Sequence, residues 1–128
     1  MSMRQSINGT RARHENPIPN ASRIGNIVMS SIIGGSNPGT RDLPAALEAQ
    51  IANIFGYIRN DIEAAGGTVN DIIKINFWVK DPAKQRAALN DEWVKMFPDP
   101  ASRPARNTQT LPADSRALVQ ADFMAVLS

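Results

Sequence analysis

The sequence contains no cysteine, and its only histidine is His14. Without cysteine the chain cannot form a disulfide, use a thiolate as nucleophile or bind a metal through sulfur. A zinc or iron site would need carboxylates almost alone, and the Asp and Glu residues form no cluster of suitable spacing. The sequence predicts neither a metal site nor a cofactor, and His14, which precedes the main folded segment, is expected at the surface.

The sequence also lacks long apolar runs and a large excess of either charge, and it has few aromatic residues. No stretch is apolar enough to span a bilayer, and the N-terminal segment MSMRQSINGTRARHEN lacks the apolar region of a signal peptide. Lys plus Arg number 14 and Asp plus Glu number 12, so the net charge is only +2. These features favour a cytoplasmic protein without a membrane partner. Because the basic residues are scattered and the aromatics few, nucleic acid is an unfavoured partner.

The N-terminal half of the chain predicts a hairpin followed by a helix. Residues 21–34 carry β-favouring apolar side chains on both sides of a Gly-Asn turn, which is typical of two paired strands. In residues 43–65 apolar side chains recur at steps of three and four, which predicts an amphipathic helix. Asp42 is expected to cap this helix, Pro44 to lie in its first turn, and a Gly-Gly pair to end it.

The C-terminal half predicts a strand, a second helix and two more strands. Residues 72–81 alternate, and the face expected in the core carries Ile73, Ile75, Phe77 and Val79. The second helix is expected to begin at Asp81-Pro82 and to stop at Pro98, with a core-facing stripe of Leu89, Trp93 and Met96 or Phe97. Two strands are predicted at residues 105–110 and 117–127, and an additional strand near residues 3–8.

The order of these elements predicts one domain over residues 1–128, in which residues 1–15 form an N-terminal segment that includes the additional edge strand. Short crossovers between strands and helices favour an α+β sandwich in which both helices cover one face of a mixed sheet. The other face keeps apolar side chains, so we expect a homo-oligomer that covers it. Trp78 lies on this face and is expected either to be exposed or to contact a second subunit.

Arg106 is the most informative single residue. It stands in the segment RPARNTQTLP, where an extended stretch enters a predicted core strand. A guanidinium does not lose its charge, so its burial requires an anion from the protein or from a ligand. From the residues alone, a structural ion pair with Asp122 or Asp114 is the favoured interpretation, and a bound carboxylate is the alternative.

The chain resembles the RidA/YjgF family, also called L-PSP proteins. The resemblance runs from about residue 16 to residue 126 and is visible in NPIPNASRIGNIVMSS, LEAQIANIFGYIRNDIEAAGGTVNDIIKINFWVKD, FPDPASRPARNTQT and LPADSRALVQADFMAV. It implies a chorismate-mutase-like fold of the bacterial type and a homotrimer with a cleft at each subunit interface. It also implies hydrolysis of reactive 2-imino or 2-enamino acids to 2-oxo acids and ammonia.

The resemblance assigns roles to individual residues. Arg106, in the family's PAR motif, is expected to bind the substrate carboxylate. Gln120 stands where deaminating members carry a glutamate that orients the attacking water, and a glutamine can position water without accepting its proton. Asp122 matches a second acidic residue of the family. The other residues that the resemblance places in the binding cleft are Asn90, Ile18, Ser31, Ile32 and Thr108.

Three functions remain open at this point. The first is an imine or enamine deaminase, including the aminomuconate-type deaminases of aromatic degradation, because Ile18 and Ile32 replace a tyrosine and a glycine and make the cleft less polar. The second is a non-catalytic binder of small carboxylates, which Gln120 favours. The third is an RNA-cleaving or translation-inhibiting protein, which the dispersed charge disfavours. Without the resemblance, Gln120 is equally well a hydrogen-bonded core residue, and Asn90 a solvated residue on a helix.

Overall fold

The structure is a computed structural model that describes residues 3–128. It contains one mixed sheet with two helices on one face. The strands are β1 (Gln5–Ile7), β2 (Ala21–Ile24), β3 (Ile27–Ser30), β4 (Ile33–Gly34), β5 (Ile72–Val79), β6 (Ala105–Thr110) and β7 (Val119–Val126). The helices are α1 (Leu47–Ala64) and α2 (Pro82–Met96), and one 3-10 turn covers Val69–Asp71.

The sheet has the strand order β1-β2-β3-β7-β5-β6, and the short β4 pairs with β7 beside β3. Only β5 and β6 run parallel to each other, and α2 connects them, because a parallel pair requires a crossover. The predicted hairpin is β2 and β3, with Gly25 at the turn in the left-handed region at φ 57°. The strand predicted near residues 3–8 is β1. The expected α+β sandwich is confirmed.

The hydrophobic core lies between the helices and the sheet. The predicted apolar stripes of α1 and α2 point into it, and so does the face of β7 that carries Val119, Ala121 and Phe123. The buried apolar residues that α1 and the sheet contribute include Ile51, Ile54, Ile58, Ile62, Ile75, Phe77, Val119 and Phe123. Phe77 contacts the ring of Trp93, and Trp93 contacts Phe97, with ring centres 6.2 and 5.0 Å apart. This aromatic group lies beneath strand β6.

The start of α1 differs from the prediction. The helix begins at Leu47 rather than residue 43, its N-cap residue is Ala46, and the expected Asp42 cap is wrong. Asp42 belongs instead to the preceding turn, where its carbonyl accepts a hydrogen bond from the Asn37 amide. The buried Gln50 explains the late start, because its side chain donates to the Pro44 carbonyl and accepts from the Leu118 amide. These bonds hold the residues before Leu47 against the strand end instead of in the helix.

The start of β5 also differs from the prediction. Ile73 was expected in the core, but half of its surface is exposed, whereas the preceding Ile72 is buried. The register with β7 shifts here, so that Ile72 pairs with Ala125 and Lys74 with Met124. A β-bulge places one extra residue in β5 and reverses the alternation at that point. From Ile75 onward the predicted alternation is confirmed.

The opposite face of the sheet carries an apolar patch on β2, β3 and β7 that is uncovered in a single chain. Because Val28 and Ala125 point into the core, their neighbours in the strands point to this outer face. The exposed apolar residues there are Ile24, Ile27, Met29 and Val126. The expectation that a second subunit covers this face stays a prediction. Within residues 3–128 neither helix combines the length and apolar character needed to cross a membrane.

A buried ion pair attaches the N-terminal segment to α1. Arg11 Nε donates to Asp61 Oδ2 at 2.9 Å, and the side chain of Asp61 has no exposed surface. The other guanidinium nitrogens of Arg11 donate to the carbonyls of Ile32 and Asn20 at 3.0 and 2.9 Å. Burial raises the pKa of Asp61, and the charge and hydrogen bond of Arg11 offset this only in part. These contacts of Arg11 anchor the N-terminal segment to α1 and to the loops beside it.

Candidate functional site

Arg106 lies on β6, the edge strand next to β5. It pairs with Ile75, so its side chain points to the face of the sheet that the helices cover. Its guanidinium carbon lies 5.1 Å from the ring centre of Trp93 and 5.6 Å from that of Phe77. A guanidinium stacked on aromatic rings keeps a fixed plane and gains cation–π attraction. Trp93, predicted only as a core residue, is thus also the support of Arg106.

Arg106 has no carboxylate partner among residues 3–128. The ion pairs of this part of the chain are Arg11 with Asp61, Arg41 with Glu15 and Lys95 with Glu92. Burial lowers the pKa of Arg106, and the charge of Arg86 lowers it further.

Neither of the two aspartates considered as partners of Arg106 forms an ion pair with it. Asp122 accepts a hydrogen bond from Asn76 Nδ2 at 2.8 Å on the outer face of the sheet, and Asp114 is exposed in the loop before β7. The structural ion pair favoured from the residues alone therefore does not form. A partly buried guanidinium without an internal anion is suited to bind an anionic ligand.

A small cavity of about 190 Å³ adjoins Arg106. Thr108, two residues further along β6, lines it together with Arg106, so these two predicted site residues lie together. Asn90 does not line this cavity: it is exposed on α2, and the preceding Leu89 points into the cavity instead. Helix geometry explains the difference, since adjacent helical residues point about 100° apart.

A larger cleft of about 760 Å³ contains the other predicted site residues, namely Ile18, Ser31, Ile32 and Gln120. Ser31 is held by its hydroxyl, which donates to the Pro19 carbonyl at 2.7 Å. No sequence pattern indicated that charged residues would line the same cleft, namely Arg11, Arg13, His14, Glu15 and Arg41. His14 is exposed, as expected, and its Nδ1 accepts from the Asn16 amide.

The two groups of site residues lie on opposite faces of the sheet within one chain. Gln120 pairs with Trp78 and stands between the buried Val119 and Ala121, so its side chain points to the outer face. Arg106 points to the helix face. A small ligand cannot touch both side chains of the same chain, because the sheet lies between them.

Comparison with known proteins identifies the family. The model of the family described as Endoribonuclease L-PSP matches residues 10–126. The chain belongs to this family. The resemblance to RidA/YjgF proteins is thereby confirmed.

Two curated relatives show the range of the family. The L-PSP chain is 31% identical over 102 residues to a 2-iminobutanoate/2-iminopropanoate deaminase from Escherichia coli, covering 77% of this chain and 79% of the relative. It is 36% identical over 81 residues to a RutC family protein from Haemophilus influenzae, covering 63% of this chain and 62% of that relative. The second match thus spans less than two thirds of the relative's length.

Solved structures have the same fold. RidA from an Antarctic Psychrobacter species superposes with a TM-score of 0.86 at 28% identity, covering 96% of this chain and 99% of that chain. The YjgF gene product of E. coli superposes with a TM-score of 0.83 at 25% identity, covering 95% and 98% of the two chains. The predicted chorismate-mutase-like fold of the L-PSP chain is confirmed.

Proposed function

We propose that this L-PSP protein is an imine or enamine deaminase that converts small 2-imino or 2-enamino acids to 2-oxo acids and ammonia. The observation that carries this proposal is the guanidinium of Arg106, partly buried, stacked on Trp93 and without a carboxylate partner among the described residues. The 31% identical relative named as an imine deaminase supports the same reaction class. The substrate carboxylate is the anion that Arg106 lacks.

The proposed chemistry requires orientation and proton transfer. The planar fork of Arg106 binds a carboxylate through two parallel hydrogen bonds and fixes the position of the adjacent imine carbon. Water adds to that carbon while the imine nitrogen takes a proton, which gives a carbinolamine. The carbinolamine then loses ammonia and becomes the 2-oxo acid. Gln120 holds the attacking water, and the basic nitrogen of the substrate receives the proton that an amide cannot accept.

The complete site is proposed to form between two chains of a homotrimer. Arg106 and Thr108 of one chain would face Ile18, Ser31, Ile32 and Gln120 of the next, because within one chain the sheet separates these two groups. The uncovered apolar outer face supports the same assembly, since such a face is stabilised when a second subunit covers it.

Replacing Met29 with lysine is expected to dissociate the trimer. Met29 lies on the outer face with half of its surface exposed, and a lysine there would have to be desolvated at the subunit contact. Light scattering coupled to size exclusion would report monomers for this variant. Ala52→Lys, on the exposed side of α1, is the matched control and should remain trimeric. A Met29→Lys protein with the wild-type mass would contradict the assembly.

Replacing Gln120 with glutamate is expected to increase kcat. A carboxylate at this position can accept the proton of the attacking water, and a general base typically contributes about 10²–10⁴-fold, of which we expect at least tenfold here. Ammonia release would be measured from 2-iminobutanoate generated in the assay by an amino-acid oxidase. Gln120→Ala serves as control and should fall below the wild type. An equal or lower kcat for Gln120→Glu would contradict the proposal that Gln120 contacts the attacking water.

Gln120 also favours a second candidate function, a non-catalytic binder of small carboxylates. In that case the wild type would bind 2-oxobutanoate through Arg106 and release ammonia no faster than the uncatalysed reaction. The size of the large cleft favours a third possibility within the deaminase class, an aminomuconate-type substrate. Comparing 2-iminobutanoate with an aminomuconate in the same ammonia assay separates these alternatives.

A further inference from the structure

A second arginine faces the cavity beside Arg106. Arg86, on the exposed side of α2, lines this cavity of about 190 Å³ together with Arg106 and Thr108. The two guanidinium groups are close enough that the charge of Arg86 lowers the pKa of Arg106. Nothing in the sequence singled out Arg86, because an arginine on the solvent-exposed side of an amphipathic helix is common.

The cavity offers these two cations no acidic partner. Its other lining residues are Val79, Pro82, Leu89 and Thr108, none of which carries a charge. Within residues 3–128 no ion pair includes Arg86. Asp81, the N-cap residue of α2, uses its carboxylate to accept the Lys84 amide. Two positive charges that face one cavity repel each other, and a bound anion relieves this repulsion.

The two arginines differ in how firmly they are held. Arg106 is partly buried and stacked on Trp93, so its plane is fixed before a ligand arrives. Arg86 lies on the exposed side of α2 at the opening of the cavity, where its long side chain can adjust to a second group. Such a pair suits a ligand with one acidic group at the reacting end and another a few atoms away.

We propose that Arg86 is a specificity-determining residue that selects 2-imino acids carrying a second carboxylate. This inference rests on the proposed deaminase function and extends it by naming the substrate class. The carboxylate next to the imine carbon binds Arg106, and the second carboxylate binds Arg86. Four- and five-carbon dicarboxylic imino acids bring two negative charges to two positive ones, whereas a monocarboxylic acid leaves Arg86 without an anion.

The test compares two substrates in wild type, Arg86→Gln and the control Arg59→Gln. Arg59 is an exposed arginine on α1 that does not line the cavity. Iminosuccinate and 2-iminobutanoate are generated in the assay from aspartate and 2-aminobutanoate by the corresponding oxidases. For Arg86→Gln we expect KM for iminosuccinate to rise about tenfold or more, the effect of one charged contact, with kcat nearly unchanged. KM for 2-iminobutanoate should stay within about twofold.

A binding measurement separates failure of this inference from failure of the proposed function. Calorimetric titration of wild type and Arg86→Gln with oxaloacetate and with 2-oxobutanoate requires no turnover. A selective loss of oxaloacetate binding in Arg86→Gln supports the role of Arg86 even if no imino acid is hydrolysed. Equal affinity of wild type for the two acids, or an equal effect of Arg86→Gln on both, overturns it whatever the outcome of the ammonia assay.

Discussion

Replacing Arg106 with alanine is expected to lower kcat/KM for imino-acid hydrolysis by roughly 30- to 4,000-fold. Removing one member of a desolvated, hydrogen-bonded charge pair costs roughly 2–5 kcal/mol, and each 1.4 kcal/mol is a factor of ten. The substrate carboxylate would lose both parallel hydrogen bonds, so the imine carbon would no longer be held near the water. Ammonia release from freshly generated 2-iminobutanoate measures the effect.

Two further variants identify what Arg106 contributes. Arg106→Lys keeps the charge but loses the planar fork and its stacking on Trp93, so we expect activity between those of wild type and the alanine variant. Arg59→Ala, on the exposed side of α1, should match the wild type. An Arg106→Ala protein with an unaltered rate would refute the proposed site.

The alanine variant is not expected to unfold the protein. Arg106 has no ion-pair partner within residues 3–128, and its guanidinium is partly desolvated beside Arg86. Removing a cation in that position relieves desolvation and repulsion, which offsets the loss of contact with the Trp93 ring. The midpoint of thermal unfolding should therefore be close to that of the wild type, and a collapse of stability would assign Arg106 a structural role.

Replacing Arg11 with methionine is expected to lower the free energy of unfolding by about 3–5 kcal/mol, because it leaves the fully buried carboxylate of Asp61 without its partner. Asp61 Oδ1 already has no hydrogen-bond partner among the described residues. The variant would also lose the hydrogen bonds from Arg11 to the Ile32 and Asn20 carbonyls. Urea denaturation at pH 7 measures the change.

The loss of stability in Arg11→Met should depend on pH. Burial raises the pKa of Asp61, and Arg11 is the group that lowers it again, so the pKa rises further in the variant. An acid whose folded pKa exceeds its unfolded value binds more protons in the native state, and stability then falls as the pH rises between these two values. The deficit should thus be largest at neutral pH and smaller at pH 5.

A double variant provides the control for the Arg11 experiment. Asp61→Asn removes the charge that methionine at position 11 leaves unpaired, so Arg11→Met combined with Asp61→Asn should be more stable than Arg11→Met alone at pH 7. The pH dependence that Arg11→Met adds to the free energy of unfolding should be absent from the double variant. If the two substitutions are simply additive, the ion pair does not couple these residues.

Much of the fold followed from local patterns in the sequence. The steps of three and four along α1 and the alternation of Ile75, Phe77 and Val79 in β5 identified faces that are buried, because helical and extended backbones have fixed periods. The pattern failed where a contact from another part of the chain intervened. Gln50 holds the residues before α1 against the strand end, and the bulge in β5 turns Ile73 outward.

The candidate site was predicted residue by residue but not in its arrangement. The family resemblance selected Arg106 and Gln120, and no local rule could say that the sheet separates them. Trp93 as the support of Arg106, Arg86 as its neighbour and the pairing of Arg11 with a residue 50 positions away have no signal in the sequence.

Local patterns in the sequence were enough to predict the order of the helices and strands, most of their buried faces and the family. Periodicity and turn chemistry are properties of neighbouring residues, so they can be read without knowing the rest of the chain. The pairing of charges became evident only in the folded chain, because strand order and packing determine which charged side chains meet. The guanidinium of Arg106 at the edge of the sheet, which has no ion-pair partner among residues 3–128, is a result of that packing.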